Sequence, residues 1–319
     1  MSLPSDTHRS LQAEFRGRLL PGYVTQMDQV SAEHAIQSAI SSELQRLGDY
    51  GFAEAFAAAI GIGSPADYLP RVIDVEGTPL LCGIRFYGGD RRQPFVELIA
   101  GHAAADDCSS AALAAMRAYA MFQPSRARVV MSGSRPPRVR AGWRVETDQV
   151  IAMAPASAMA RLPSLPAAAV DLVSATPDEA AAFLVPGYAR IAEADPALRS
   201  RLSPATNEDL QSCWADGHLW WWTVQGERAG LIAARRDEVL GIKGLLMVEE
   251  LVAAMFAGRG TATLAQRELA KRACASCADV MIVGTIDAAN ATSRATARKA
   301  GRAEVAAWHF LSPDAGRGV

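Results

Sequence analysis

The stretch LLMVEELV at residues 245–252 is followed by AGRGTA at residues 257–262 and then by an Ala/Leu-rich segment. This order predicts a buried strand, a glycine turn and the beginning of a helix. The first N–H groups of a helix have no partner within it, and the helix dipole adds partial positive charge there. Glycine lets an anion approach the backbone closely. We therefore expect a phosphate cradle at residues 258–262, although the pattern alone also occurs as a plain connection.

Two further elements follow the expected cradle. An apolar run at residues 280–283 predicts a strand, the next helix carries Asn290 and Ser293, and a closing strand ends at residues 308–311. In this order, with N-x-x-S followed by K-x-G at residues 299–301, the chain resembles the GNAT acetyltransferase superfamily. In that superfamily a turn of pattern Q/R-x-x-G-x-G/A binds the pyrophosphate of acetyl-CoA. The resemblance covers roughly the last 150 residues, about the size of one domain.

The resemblance implies acetyl-CoA as the cofactor and indicates which residues would bind it. The fourth and fifth strands of the superfamily are parallel and splay apart, and the pantetheine arm lies in the gap against the fourth strand. Asn290 would contact the pantetheine region, with Ser293 one turn later on the same face; a plain helix cap is the alternative role for Asn290. The predicted cofactor-binding residues are Leu251, Val252, Ala253, Gly258, Arg259, Gly260, Thr261, Ala262, Asn290 and Ser293.

Two positions depart from the pattern of the superfamily. Ala257 stands where a Gln or Arg is usual, although Arg259 could add positive charge. Ala297 stands seven residues after Asn290, where many members have a Tyr that protonates the leaving thiolate. A non-catalytic acyl-CoA-binding or interaction protein is therefore the alternative to an enzyme.

The resemblance implies an N-acyltransferase that moves an acetyl group to a primary amine of a small molecule or peptide, through a tetrahedral intermediate. An ammonium substrate has no lone pair, so a base must remove a proton. Glu249 and Glu250 are the carboxylates on the central strand and are the predicted catalytic residues. Because neighbouring strand residues face opposite sides, we expect only one to point into the cleft, with burial raising its pKa. The alternative is that both lie in solvent.

Three consecutive tryptophans precede this strand. Alternation along a strand sends Trp220 and Trp222 to one face and Trp221 to the other. We predict that Trp220 and Trp222 contribute to substrate binding, with core packing as the alternative. The segment 188–204 is expected to be a loop.

The length of 319 residues exceeds what one core usually fills, so we expect two domains. An Ala/Pro/Ser-rich connector begins at Pro155. The predicted division is a degenerate GNAT-like domain at 1–154, a linker at 155–169 and a GNAT acetyltransferase domain at 170–319. The first half repeats the element order, but residues 101–107 lack the G-x-G/A turn and carry two aspartates that would repel a pyrophosphate. The expected fold class is α/β, with two tandem mixed, mostly antiparallel sheets, each with one splayed parallel strand pair flanked by helices.

Charge and composition limit the partners. The formal net charge of −2 gives no reason to expect nucleic acid or an anionic membrane, and no apolar run is long enough for a membrane span. The five scattered cysteines, including Cys274 and Cys277 in a C-x-x-C pattern, are expected to be packing residues, and we predict no metal site. We expect a soluble cytoplasmic protein. The sequence does not decide whether it forms a homo-oligomer.

Overall fold

The computed structural model describes residues 3–101, 107–133, 135–163, 169–277 and 280–314. Contacts divide the chain into two compact units, residues 1–149 with 306–319 and residues 150–305. The division predicted from the sequence follows chain order and stays a prediction. The compact units differ from it, because each includes a strand segment from the other half of the chain.

The first unit has a mixed sheet flanked by helices. Its strands are β1 (Arg71–Val75), β2 (Thr78–Phe86), β3 (Pro94–Ala100), β4 (Ala127–Ser132), residues 143–149 of β5 (Trp143–Pro155) and residues 306–313 of β11 (Ala303–Pro313). Its helices are α1 (Ser5–Tyr23), α2 (Gln29–Gln45), α3 (Tyr50–Ile60), α4 (Pro65–Tyr68) and α5 (Ser109–Ala118). The strand order is β1-β2-β3-β4-β11-β5, with β3 parallel to β4 and β11 antiparallel to β4. Most of residues 101–107, where the sequence predicts no cradle, lie outside the described residues.

The second unit has the same kind of mixed sheet. Its strands are residues 150–155 of β5, β6 (Val170–Ser174), β7 (Leu219–Val224), β8 (Glu227–Val239), β9 (Ile242–Val252) and β10 (Met281–Asp287). Its helices are α6 (Ala156–Ala160), α7 (Pro177–Ala194), α8 (Asn207–Ala215), α9 (Thr261–Ser276) and α10 (Ala291–Ala300). The order is β5-β10-β9-β8-β7-β6, in which β6 to β9 are antiparallel and β9 is parallel to β10. Mixed sheets flanked by helices confirm the predicted fold class.

Local sequence signals set several boundaries in the second unit. Thr176 forms a capping box with Glu179 and begins α7. The two-residue turn between β7 and β8 has positive φ at Gln225 (52°) and at Gly226 (84°), as a tight hairpin requires. Gly260, with φ of 74°, is the N-cap of α9, so a left-handed residue ends the glycine turn and begins the helix.

The core of the second unit lies on both faces of its sheet. Trp220 and Trp222 are buried with α9 side chains such as Leu269 on one face. Trp221 packs on the other face in the cluster that includes Leu184 of α7. The alternation is as predicted, but Trp220 and Trp222 lie in the core and outside the cleft lining, so the substrate-binding role predicted for them is not carried forward.

Two segments expected to be irregular contain helix. Tyr188 lies in α7, which continues to Ala194 although Pro186 and Gly187 suggest an earlier end. In the expected linker, β5 continues to Pro155 and α6 follows it directly. In α7, tertiary packing outweighs the helix-breaking tendency of Pro186 and Gly187, because Gly187 is buried against Leu251.

Candidate active site

A gap opens between the parallel strands β9 and β10. They pair only at Ile282↔Leu245 and Val283↔Leu246, although both strands continue beyond these positions. The gap contains a cavity of about 550 Å³. Its lining includes residues 247–252 of β9, residues 284–287 of β10, residues of α7 and α10, and Gly258 of the cradle turn. The splayed parallel pair expected in the fold is therefore present in the second unit.

A β-bulge in β9 sets the directions of the two predicted catalytic carboxylates. Ala233 pairs with Glu249 and Ala234 with Met247, so Val248 is an extra residue. Glu249 accepts hydrogen bonds from the α7 side of the sheet, and Glu250 from α9 on the other side. Their opposite directions agree with alternation. Both residues line the cavity, so the lining does not single out one carboxylate as the prediction did.

Glu249 is held by three donors. The Tyr188 hydroxyl donates to its two carboxylate oxygens at 2.9 and 3.1 Å, and the backbone N–H groups of Ala205 and Glu250 donate at 3.0 and 2.9 Å. Burial raises the pKa of Glu249 above the ordinary 4.5, and these hydrogen bonds oppose the shift. Glu249 is thus an oriented carboxylate with a raised pKa on the α7 side of the cleft.

Glu250 belongs to a polar network on the α9 side. Gln266 donates to Glu250 Oε2 at 2.7 Å and accepts from Arg302 Nε at 3.1 Å. Glu250 keeps some exposed surface, but its Oε1 is buried and has no partner among the described residues. Burial raises the pKa of Glu250 to about 7, while the positive charge of Arg302 and the Gln266 hydrogen bond oppose the shift.

The raised pKa of Glu250 predicts a pH-dependent stability. The folded protein binds this proton more tightly than the unfolded chain, so the stabilisation is complete below pH 4.5 and is lost as the pH rises to about 7. The variant Glu250→Gln cannot titrate. Its free energy of unfolding relative to the wild type should therefore increase by about 3 kcal/mol from about pH 4 to about pH 8. Urea unfolding at several pH values measures this, with the exposed-site variant Glu227→Gln as control. A pH-independent difference for Glu250→Gln would contradict the prediction.

The cradle turn has the predicted free amides, with one exception. Within the described part of the chain, the backbone N–H groups of Gly258, Gly260, Thr261 and Ala262 donate to no protein acceptor. The Arg259 N–H is used, because it donates to Phe256 O at 3.3 Å. Four donors at the N-terminus of a long helix suit a pyrophosphate.

The two cradle glycines are needed for their backbone conformation and for close approach of a ligand. Gly258 and Gly260 both have φ of 74°, and a Cβ added to either would meet no protein atom within 4 Å. The space in front of them is open, so it is available to an anion.

Only one of the three predicted strand residues offers its backbone to the gap. The Ala253 N–H donates to Ala229 O at 2.9 Å. Hydrogen-bonded pairs alternate in an antiparallel ladder, so the backbone groups of Leu251 also face β8. The main-chain role predicted for Leu251 and Ala253 was therefore wrong, and Val252 remains, with its N–H and C=O directed toward the gap.

Asn290 and Ser293 both line the cavity at the beginning of α10. Asn290 accepts a hydrogen bond from the Ser293 N–H at 3.0 Å, so its role as a helix cap is observed. Ala297 is buried and is absent from the cavity lining.

Sequence reasoning did not place several side chains at this site. Tyr188 was assigned to a loop, and Gln266 and Arg302 carried no recognisable motif. Asp287 lines the cavity and pairs with Arg201, whose Nε lies 2.8 Å from Oδ2. Arg302 directly follows the K-x-G pattern at residues 299–301. This position is the one sequence signal for a basic residue at the base of the cleft.

Other features add no second site. Among the residues that the structure describes, no group of three or more His, Cys, Asp or Glu side chains could hold a metal ion. Cys274 and Cys277 are free thiols. No described helix is both long enough and apolar enough to cross a membrane.

No protein-family profile and no curated protein matches the sequence. Among solved structures, the chain is similar to an acetyltransferase of the GNAT family from Colwellia psychrerythraea (12% identity, 98% of each chain covered, TM-score 0.48). It is also similar to a GCN5-related N-acetyltransferase from Sphaerobacter thermophilus (15% identity, 86% of this chain and 96% of that chain, TM-score 0.46). A tandem GNAT protein from the clavulanic acid biosynthesis pathway has the same identity and coverage, with a TM-score of 0.44. These similarities are too distant to indicate a function. The function proposed below is therefore argued from the geometry of the cleft.

Proposed function

We propose that the second unit is an acyl-CoA-dependent N-acyltransferase, which moves an acetyl group from acetyl-CoA to a primary amine of a small molecule or peptide. One observation carries the proposal: β9 and β10 stop pairing after two positions, and the glycine turn with the free amides reaches the resulting cavity at Gly258. An anion-binding turn next to the gap between β9 and β10 matches a ligand with a pyrophosphate and a long thioester arm.

The donor would lie on the cradle side of the cleft. The N–H groups of Gly258, Gly260, Thr261 and Ala262 would bind the pyrophosphate. Acetyl-CoA, when bound, supplies an activated thioester carbonyl. The Val252 N–H, which faces the gap, is placed to donate to an oxyanion there, a contact usually worth about 3 kcal/mol.

The acceptor amine would enter from the α7 side. Three apolar residues of α7 and of the segment after it line the cavity, Ile191, Leu198 and Leu202, and Glu249 accepts a hydrogen bond from Tyr188 of α7. We assign the base role to Glu249, because the donor seat lies at α9 and the acceptor must reach the thioester from the opposite face. A carboxylate with a raised pKa can accept the ammonium proton and so free the lone pair for attack.

One observation favours the alternative of a non-catalytic acyl-CoA-binding protein. Ala297 supplies no phenol for the leaving thiolate, and the α10 hydroxyls at the cleft, those of Thr292 and Ser293, are much weaker acids than a phenol. Tyr188 is the phenol present at the cleft, and it is engaged with Glu249.

Two measurements separate these functions. Titration calorimetry with acetyl-CoA tests binding, and a thiol-release assay across amino acids, polyamines, aminoglycosides and peptides tests transfer. We expect binding and an amine-dependent release of CoA with at least one acceptor class. Binding without any amine-dependent release would indicate the non-catalytic alternative, and no binding would refute both.

A further inference from the structure

Arg302 lies at the vertex where β9 and β10 separate. Met247 and Gly284 are the first residues after the last paired positions. A Cβ added at Gly284 would lie 2.8 Å from Arg302 Nη1 and 3.2 Å from Met247 Cβ. The absence of a side chain at Gly284 therefore leaves the room that the guanidinium occupies at the closed end of the cleft.

The guanidinium of Arg302 is buried but almost unpaired. The residue is 3% exposed and lines the cavity. Its side chain makes one hydrogen bond to the described residues, from Nε to Gln266, and Nη1 is a buried donor without an acceptor. A buried cation with free donors is costly unless something binds them. The unused end is the planar fork that binds carboxylates with two parallel hydrogen bonds.

Glu250 does not accept hydrogen bonds from the free end of the Arg302 guanidinium. Its carboxylate is near enough to Arg302 to affect its pKa, but no ion pair joins them, and Gln266 lies between the two groups. Glu250 Oε1 is also without a partner. Both residues line the cavity, and the vertex thus holds a buried donor and a buried carboxyl oxygen that have no partner among the described residues.

We propose that Arg302 binds a carboxylate at the vertex, and that the preferred donor is a CoA thioester whose acyl chain ends in a carboxylate. The inference rests on the proposed function, because it takes the arm to run from the cradle toward the vertex. Residues 247–252 span roughly 17 Å of β9, which is the length available to that arm. An acyl group that ends in a carboxylate would form an ion pair with the Arg302 guanidinium, whereas an acetyl group would leave the guanidinium unpaired. The carboxylate of an amino-acid acceptor offers the same chemistry from the other side.

Binding measurements test the proposal without relying on turnover. Calorimetry would compare succinyl-CoA with butyryl-CoA, which have acyl chains of the same length with and without a terminal carboxylate, as non-hydrolysable thioether analogues. A second arm would compare phenylalanine with phenethylamine, each added to the protein saturated with CoA. Both arms are repeated with Arg302→Met, and with Gly284→Ala, which keeps the positive charge but places a methyl group where the fork lies.

The expected result is a preference of roughly 10- to 100-fold for the succinyl analogue, lost in both variants while free CoA binds as in the wild type. A preference seen only for phenylalanine over phenethylamine, and lost in the same variants, supports the carboxylate site and assigns it to the acceptor. If the wild type binds acetyl-CoA but discriminates neither pair, the inference is overturned and the proposed function stands. If no CoA thioester binds, both fail.

Discussion

Gly260→Asp should bind acetyl-CoA at least roughly 100-fold more weakly than Gly260→Asn. The aspartate would place a negative charge beside the free amides of the cradle, and two unit charges about 5 Å apart repel by about 3 kcal/mol at a partly exposed site. Asp and Asn are nearly the same size, and both tolerate the positive φ found at this position. The comparison therefore isolates the charge.

Titration calorimetry at low salt measures this difference. Gly260→Asn should bind more weakly than the wild type, because its side chain takes space that the glycine leaves to the ligand, but it adds no negative charge. The gap between the two variants should narrow at high salt, since the site is open to solvent. Equal affinities for Gly260→Asp and Gly260→Asn would mean that the pyrophosphate does not lie on this turn.

Glu249→Gln should lower kcat/KM by roughly 100- to 10,000-fold and leave the affinity for acetyl-CoA unchanged. Glutamine keeps the shape of the side chain and one acceptor oxygen for the donors around it, but it cannot take the ammonium proton. Steady-state thiol release and calorimetry on the same preparation separate the two effects. If Glu250→Gln abolishes transfer and Glu249→Gln does not, the assignment of the base by sheet face is wrong.

The pH profile gives a second test of the same base. Transfer requires the deprotonated carboxylate, so kcat/KM should rise with pH, and burial places that rise above the ordinary carboxyl value of 4.5. The Tyr188 hydrogen bond favours the charged form of Glu249. Tyr188→Phe should therefore move the rise to higher pH and keep the plateau. A lost plateau would instead make Tyr188 the proton donor to the thiolate.

The element order of the second unit could be predicted from sequence because its signals are local. The glycine turn before α9, the Thr176-Pro177 helix start and the Gln225-Gly226 hairpin each depend on a few neighbouring residues. The free amides of the cradle follow from the same turn, in which the Arg259 N–H alone donates to a carbonyl, that of Phe256.

The polar interior of the cleft could not be predicted in this way. A lone arginine is usually solvated, so nothing marked Arg302 as buried until the fold brought it against Gln266. The bulge at Val248 is equally hidden, because it depends on the register of β8 against β9. Burial and strand register depend on residues that are far apart along the chain, whereas sequence patterns reflect neighbouring residues.

The pairing of β11 with β4 affects how the protein is made. During synthesis, β4 leaves the ribosome long before residues 306–311, its antiparallel partners from the end of the chain. Until then β4 is an open sheet edge, which invites pairing with another chain. The nascent first unit therefore keeps this edge unpaired until β11 has been made.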